Sequence, residues 1–191
     1  MSAELDRIRQ VIASGGPTVG PVRLVVVDGP AGSGKSTTAD ALSRGLDAVV
    51  VHADELYEGW SVVADARDRT AAFDALADRV SGWLLAAWDR GIAGEHPVWD
   101  WERDRWWESA RSVPAAPVVI LEGVGMAAAA LRARAVAAIW VEHPDPGERL
   151  RRVLARDGLD LEDRMTRWQV EETAWFDHDG TRQGCQHHLP T

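Results

Sequence analysis

The sequence predicts an α/β fold in which helices cover both faces of a parallel sheet. Short continuous runs of apolar, mostly β-branched residues recur along the chain, as is typical of strands buried on both faces. Segments with helical apolar spacing lie between these runs, and such alternation favours parallel strands joined by helical crossovers. The chain has 191 residues, of which 46% are hydrophobic and 27% charged, enough for one globular core.

Each predicted strand is a short apolar run, and the first one leads directly into a glycine-rich loop. Predicted strands cover Val22–Asp28, Ala48–His52, Pro117–Leu121, Ala135–Val141 and His187–Leu189. The last of these is short and is expected at a sheet edge.

The predicted helices follow from apolar residues spaced three or four apart. The first contains Leu5, Ile8 and Ile12 and stops at the Gly15–Pro17 turn. A second is expected to end at Gly45, because glycine favours the left-handed conformation that closes a helix. That second helix covers Lys35–Arg44, and further helices are predicted over Thr70–Arg90, Asp145–Arg156 and Leu161–Asp177.

The segment between the first strand and the next helix matches the G-x-x-x-x-G-K-[ST] phosphate-loop pattern. Its glycines let backbone N–H groups approach phosphate oxygens, and the start of the helix adds a positive dipole end. Lys35, the only lysine in the chain, is predicted to reach the β- and γ-phosphates and to act in catalysis. The alternative is a glycine-rich turn with an incidental lysine. The predicted nucleotide contacts are Gly29, Ala31, Gly32, Ser33, Gly34, Lys35, Ser36 and Thr37.

Two acids follow neighbouring strands of the predicted sheet. Asp54 comes just after the second strand and Glu122 just after the third, so both face the crevice at the carboxyl ends of the strands. Asp54 is predicted to accept a proton from a substrate hydroxyl, and Ser36, Asp54 and Glu122 to hold Mg²⁺. The alternatives are a helix cap for Asp54 and a solvent-facing acid for Glu122.

Tryptophan is unusually frequent, with 10 in the chain. Aromatic residues interleaved with charges suit a planar or sugar-like acceptor, stacked by rings and held at its hydroxyls. The alternative is a tryptophan-rich segment that packs a lid on the sheet. The predicted acceptor contacts are Tyr57, Trp60, Trp99, Asp100, Trp101 and Arg105.

Arginines at i, i+3 and i+7 share one face of the predicted helix over 145–156. Arg152 and Arg156 are predicted to stabilise the charge of a transferring phosphoryl group, and Arg152 also to contact the nucleotide. Arg149 lies on the same face. The alternative is a solvated face paired with nearby acids.

The net charge limits the classes of partner that the protein can bind. A net charge of −9 argues against a general nucleic-acid or anionic-membrane binder. A single cysteine, Cys185, fits a reducing compartment, and the N-terminus lacks signal-peptide features, so a cytoplasmic location is expected.

Together these motifs resemble the uridine kinase-like branch of P-loop kinases, over about residues 22–179. The resemblance is carried by the phosphate loop, by HADELYEGW, VWDW and VVILEGVG, and by RRVLARDG leading to W-x-x-x-E at Trp168–Glu172. It implies a P-loop NTPase fold, three-layer α/β/α with a five-stranded parallel sheet in the order 2-3-1-4-5. It also implies ATP and Mg²⁺, Asp54 as general base, and Trp99–Trp101 as a nucleoside contact.

One departure from that family concerns the acceptor. Uridine kinases carry a base-contacting histidine near the position of Asp104, and a tyrosine in place of Trp99. The main prediction is transfer of the γ-phosphoryl group of ATP to a hydroxyl of a small molecule, a nucleoside as in uridine kinases. These differences support the alternative, a kinase of another small metabolite, a nucleoside monophosphate or an antibiotic. A nucleotide-binding regulatory ATPase module is a third interpretation.

The predicted organisation is a single P-loop kinase domain over 1–191 that acts as a monomer or homodimer on a small-molecule acceptor. A helical, tryptophan-rich acceptor-binding segment is expected over 57–112, and a lid over 156–168.

Overall fold

A five-stranded parallel sheet forms the centre of the protein in the computed structural model, which describes residues 2–191. The strands in chain order are β1 (Arg23–Asp28), β2 (Val49–His52), β3 (Gly94–His96), β4 (Trp99–Asp100), β5 (Arg105–Trp106), β6 (Arg111–Val113), β7 (Val118–Glu122), β8 (Ala137–Glu142) and β9 (His187–Pro190). The sheet order is β2-β7-β1-β8-β9, and every pair is parallel. When the five strands of this sheet are numbered by their order in the chain, the sheet order is 2-3-1-4-5. The predicted order is therefore confirmed.

Helices pack on both faces of the sheet. They are α1 (Ser2–Ser14), α2 (Lys35–Leu46), α3 (Arg69–Val80), α4 (Ala86–Trp88), α5 (Ala129–Arg132), α6 (Pro146–Asp157), α7 (Glu162–Asp179) and α8 (Thr181–Gly184). Alternate residues of β1 point into two separate cores, Leu24 and Val26 into one, Val25 and Val27 into the other. The three-layer α/β/α arrangement follows. No helix within residues 2–191 has the length and apolar character to cross a membrane.

Helix α2 ends later than the sequence predicts. Gly45 lies inside the last turn, and Asp47 closes the helix with φ 50° and ψ 46°. A Cβ at Gly45 would clash with the side chain of Arg9 on α1. The glycine therefore serves a close approach of two helices, while the left-handed cap is an aspartate.

The predicted helix over Thr70–Arg90 is one helical segment with an irregular centre. Helix α3 passes through a π-helical turn at Ser81–Leu85 into α4, which ends at Trp88. The extra residue in a π turn shifts the side chains that follow around the helix axis.

The segment over 57–112 is helical for only part of its length. Beyond α4, strand β3 pairs antiparallel with β6, and β4 pairs antiparallel with β5. Trp99 and Trp106 face each other across β4 and β5 with ring centroids 4.9 Å apart, and Asp104 adopts a positive φ of 51° in the intervening turn. Cross-strand tryptophan packing and a left-handed turn residue stabilise a hairpin rather than a helix here.

Candidate active site

The phosphate-loop motif forms the connection between β1 and α2. Gly29 and Gly32 have φ values of 143° and 77°, which side-chain-bearing residues rarely adopt. A Cβ on Gly29 would clash with the carbonyl of Val141 on β8, and one on Gly32 with the carbonyl of Arg149 on α6. The loop therefore needs glycine both for its turn and for close contact with its neighbours.

The inner side of the loop presents unsatisfied donors. Within residues 2–191, the backbone N–H groups of Gly32 and of residues 34–37 have no hydrogen-bond acceptor. Lys35 is buried, and its Nζ donates to the carbonyl of Pro30 at 3.0 Å. These donors surround the N-terminus of α2, an arrangement that suits the phosphates of a nucleotide.

Glu122, at the end of β7, lies beside the first turn of α2. It is buried and accepts a hydrogen bond from Ser36 Oγ at 3.2 Å. Its Oε1 also lies 2.5 Å from His52 Nδ1 at the end of β2, and this contact raises the pKa of His52. His52 is thus a site residue that the sequence analysis did not identify.

Asp54 follows β2 in a short 3₁₀ turn, Ala53–Glu55, and faces the same cleft as Lys35 and Glu122. Its side chain keeps access to the solvent of the cleft. The pKa of Asp54 is raised, because surrounding protein displaces bulk water and Glu122 adds negative charge. Lys35 and Arg156 act in the opposite direction.

Four aromatic rings form the wall of the cleft next to Asp54; we call them the aromatic wall. They are Tyr57, Trp60, Trp101 and Trp168. Trp60 lies edge-on to Trp101 and to Trp168, at centroid distances of 5.6 and 6.1 Å. Trp101 Nε1 donates to the carbonyl of Asp54 at 2.8 Å, so the β4–β5 hairpin is attached to the 3₁₀ turn that carries this acid.

The three arginines that share one face of α6 divide into two groups. Arg152 and Arg156 line the cleft, and each pairs with an acid of the same helix, Arg152 with Glu148 at 2.9 Å and Arg156 with Asp157 at 2.6 Å. Arg149 is buried outside the cleft, where it donates to the carbonyl of His143 at 2.8 Å. The predicted role of Arg152 and Arg156 near a phosphoryl group remains a prediction.

The structure does not bring Trp99, Asp100 and Arg105 into the main cleft. Trp99 packs against Trp106, and Asp100 accepts from the backbone of Arg103 and pairs with its side chain at 3.0 Å. Asp100 and Arg105 border a separate, shallow surface depression of about 280 Å³. None of the three lines the main cleft, and the acceptor contacts predicted for them stay predictions.

The cleft itself has a volume of about 720 Å³ and extends from the phosphate loop to the aromatic wall. Of the predicted site residues, Ser33 is buried beneath the loop and Gly29 lies at its base, outside the cleft surface. Those that the structure brings together are Ala31, Gly32, Gly34, Lys35, Ser36, Thr37, Asp54, Tyr57, Trp60, Trp101, Glu122, Arg152 and Arg156.

Two further buried acids support the phosphate loop, and neither was assigned a role from the sequence. Asp28 accepts from the N–H groups of Gly29 and Ala127 at 2.7 and 2.8 Å. Glu172 on α7 accepts from Ala31 N–H at 3.0 Å and from Trp168 Nε1 at 2.9 Å. Burial raises the pKa of each to about 7. The only signal in the sequence was the W-x-x-x-E spacing, which puts Trp168 and Glu172 on one helix face.

The donor set fits a magnesium–nucleotide better than a bare metal ion. Within residues 2–191 there is no group of three or more His, Cys, Asp or Glu side chains suited to hold a metal alone. Ser36 Oγ and Glu122 are hard oxygen donors next to the unsatisfied N–H groups of the loop. Mg²⁺ commonly takes one or two protein oxygens together with phosphate oxygens and water, which these residues could provide.

Comparison with known proteins identifies related folds. No family model matches the sequence, and no curated protein matches it. A protein described as a possible uridine kinase from Bacillus stearothermophilus matches with 16% identity and a TM-score of 0.67, over 98% of both chains. A proposed fructose transport system kinase from Silicibacter sp. TM1040 matches with 20% identity and a TM-score of 0.59, over 92% of this chain and 94% of its own. A Thermus thermophilus protein, TT1252, matches with 23% identity and a TM-score of 0.50, over 90% and 89%.

These similarities extend over nearly the whole of each chain. The protein has the three-layer α/β/α fold of P-loop kinases, as the sequence predicts. The expected resemblance to uridine kinase-like P-loop kinases is confirmed at the level of the fold.

Proposed function

We propose that the protein transfers the γ-phosphoryl group of ATP to a hydroxyl of a small, ring-bearing molecule, as a uridine kinase-like nucleoside kinase does. The observation that carries this proposal is the position of Asp54. Its carboxylate lies in one cleft with the phosphate loop on one side and the aromatic wall on the other. An acid between a phosphate site and a stacking site is placed to act on a hydroxyl held there.

Each group of side chains has a chemical task in this reaction. The loop N–H groups and Lys35 bind the phosphates of ATP, while Ser36 and Glu122 provide oxygens for Mg²⁺, which when bound neutralises phosphate charge. Asp54 accepts the proton of the acceptor hydroxyl as its oxygen forms a bond to the γ-phosphorus. The bond from that phosphorus to the β-phosphate oxygen breaks, and ADP leaves.

The raised pKa of Asp54 agrees with this role. A general base works best when its pKa lies close to the working pH, and an ordinary aspartate is too weak a base for a hydroxyl. Access to the cleft solvent lets the carboxylate meet a bound acceptor.

The composition of the cleft indicates an acceptor without a phosphate group. All of its cations, Lys35, Arg152 and Arg156, lie on the loop or on α6, whereas the wall beyond Asp54 consists of aromatic rings together with Leu161 and Met165. Rings of this kind stack on planar or sugar-like faces. Two arginines stack on these rings, Arg69 on Trp168 at 4.9 Å and Arg164 on Trp60 at 5.6 Å, but neither lines the cleft, so a phosphate held against the wall would meet no cation of the cleft surface. Nucleosides and other uncharged ring-bearing alcohols therefore fit better than nucleoside monophosphates.

The test is a screen for ADP release with Mg²⁺–ATP and a panel of nucleosides, nucleoside monophosphates, sugars and aminoglycosides. We expect stimulation by at least one unphosphorylated ring-bearing alcohol and little by the monophosphates. Asp54→Asn should reduce that stimulated rate by at least about 100-fold and leave ATP binding intact, because it removes only the proton acceptor. The matched control is Glu55→Gln, an adjacent acid that pairs with Arg111 outside the cleft.

Three outcomes would contradict the proposal. Full transfer by Asp54→Asn would remove Asp54 from the role of base. ATP hydrolysis that no acceptor stimulates would favour a regulatory ATPase module instead, and stimulation restricted to monophosphates would reverse the assigned acceptor class.

A further inference from the structure

Glu172 joins two parts of the cleft that lie far apart in the sequence. It is buried on α7, with 1% of its surface exposed. Both carboxylate oxygens accept from the N–H of Ala31, at 3.1 and 3.0 Å, although the two residues are 141 positions apart. Ala31 belongs to the phosphate loop and precedes the first of its unsatisfied donors. The conformation of the loop is therefore fixed in part by a residue of a distant helix.

Trp168 occupies the other side of the same carboxylate. Its Nε1 donates to Glu172 Oε2 at 2.9 Å, while its ring lies in the aromatic wall next to Tyr57 and Trp60, at centroid distances of 5.7 and 6.1 Å. The Trp168 indole thus lines the cleft with its ring, while its N–H binds Glu172, the residue that holds the phosphate loop.

A buried acid of this kind is costly unless its hydrogen bonds compensate. If Glu172 only filled space, an apolar side chain would do so without the desolvation penalty. Its three contacts all connect the loop with the aromatic wall, through Ala31 on one side and Trp168 on the other.

We propose that Glu172 is a positioning residue that couples the aromatic wall to the phosphate loop through Trp168 and Ala31. When the Trp168 indole is in place, Glu172 holds the Ala31 amide and keeps the loop N–H groups directed into the cleft. When the indole N–H is absent, the carboxylate loses one of its two partners and the loop is held less tightly. The proposal rests on the proposed function only in taking the loop as a nucleotide site and the wall as the acceptor site.

The experiment measures the affinity for ADP–Mg²⁺ by isothermal titration. We expect Glu172→Leu and Trp168→Phe each to weaken ADP binding about tenfold, the effect expected when a charge-assisted hydrogen bond is lost. The double variant should be no weaker than Glu172→Leu alone, because both changes break the same connection. Glu172→Gln, which keeps a carbonyl acceptor, should restore the affinity to within about threefold of the unchanged protein.

The matched control is Trp175→Phe, on the same helix. Its indole is also buried, and its Nε1 lies 3.5 Å from Asp74 Oδ1, remote from the loop. This variant loses a ring and an N–H in the same way as Trp168→Phe, so it reports the general cost of shrinking a buried tryptophan. We expect its ADP affinity to equal that of the unchanged protein. Circular dichroism confirms that every variant is folded before it is compared.

The coupling would be overturned if Trp168→Phe left the ADP affinity unchanged, or if the two changes had additive effects in the double variant. An equal loss of ADP affinity in Trp175→Phe would overturn it as well. A failed acceptor screen with these affinity changes intact would overturn the proposed acceptor chemistry alone. Absence of ADP binding by the unchanged protein would overturn both.

Discussion

Lys35 stands apart at the scale of single residues. It is the only lysine, and the other basic residues among the 21 Lys and Arg are arginines. The structure buries it, leaving 9% exposed, with its Nζ 3.0 Å from the Pro30 carbonyl. The ammonium is a compact charge on a flexible stem, whereas a guanidinium is a broad planar fork. We expect the loop to accommodate the first and not the second.

Replacing Lys35 should therefore weaken nucleotide binding itself. We expect Lys35→Ala to raise the Kd for ATP–Mg²⁺ by about tenfold or more, since a charge-assisted contact to phosphate is lost. Lys35→Arg should recover little of it, because the fork does not fit. The control is Arg44→Ala, at the last turn of α2. Isothermal titration measures the Kd of each variant, and an unchanged Kd in Lys35→Ala would exclude Lys35 as a phosphate ligand.

Local pattern explains which site residues the sequence could reveal. The phosphate loop is contiguous, and Asp54 and Glu122 follow strands whose ends meet at one sheet edge, so both could be predicted. Glu172 could not, because its contact with Ala31 depends on how α7 packs, and a buried acid in a helix has no distinctive pattern. Asp100 was expected at the acceptor site, but the turn of the β4–β5 hairpin directs it elsewhere.

At the scale of elements, the end of α2 shows how one sequence cue can have two causes. Gly45 was expected as the helix terminator, yet it lies within the helix where Arg9 approaches. The left-handed terminal position is occupied by Asp47, whose N–H bonds to the Ser43 carbonyl. Aspartate tolerates this conformation better than most residues, but glycine adopts it without steric cost.

Asp47→Gly should accordingly stabilise the protein. Removing the left-handed strain at an exposed position should raise the free energy of unfolding by about 0.5–1 kcal/mol. Asp40→Gly, at an exposed position in the middle of the same helix, should lower the free energy of unfolding by about 1 kcal/mol. Glycine at that position relieves no strain and only increases the conformational entropy of the unfolded chain. Urea denaturation measures both. A lower stability of Asp47→Gly would show that the aspartate side chain contributes to the cap.

The hairpins of the 94–113 region mark the limit of prediction at this scale. Helical spacing over 70–90 was long enough to identify α3 and α4. Strands β3 to β6 have only two or three residues each, too few for any alternation to be visible. What forms them is cross-strand packing, such as Trp99 against Trp106, which depends on the tertiary structure.

For the whole molecule, the order of the sheet was predictable and the shape of the cleft was not. Five apolar runs joined by helices leave few allowed topologies, and the resemblance to P-loop kinases selected one. The aromatic wall instead combines rings from three separate parts of the chain, at Tyr57–Trp60, at Trp101 and at Trp168. Tyr57, Trp60 and Trp101 were among the predicted acceptor contacts, whereas Trp168 was not, because its place in the wall depends on how α7 packs.

Two buried acids beneath the phosphate loop make global stability depend on pH. Burial raises the pKa of Asp28 and of Glu172 to about 7, and the negative charge of Glu172 adds to the shift of Asp28. Lys35 opposes both shifts, and Arg149 opposes that of Glu172. A folded-state pKa above the ordinary value means that the folded protein binds the proton more tightly. The stability that these two acids contribute is therefore fully present below about pH 4, near the ordinary pKa of a carboxyl group. This contribution is lost as the pH rises through 7.

We expect the free energy of unfolding to fall between about pH 4 and pH 7, where the unfolded chain has released these protons and the folded protein still holds them, with each of the two acids contributing on the order of 1–3 kcal/mol. Glu172→Gln and Asp28→Asn should each flatten this slope, because an amide has no proton to release. The comparison uses the slope, since either amide also changes the absolute stability by altering hydrogen bonds. Glu102→Gln, at an exposed position in the β4–β5 turn, serves as the control. Urea denaturation at several pH values provides the measurement, and a slope that neither variant reduces would mean that neither acid has a raised pKa in the folded protein.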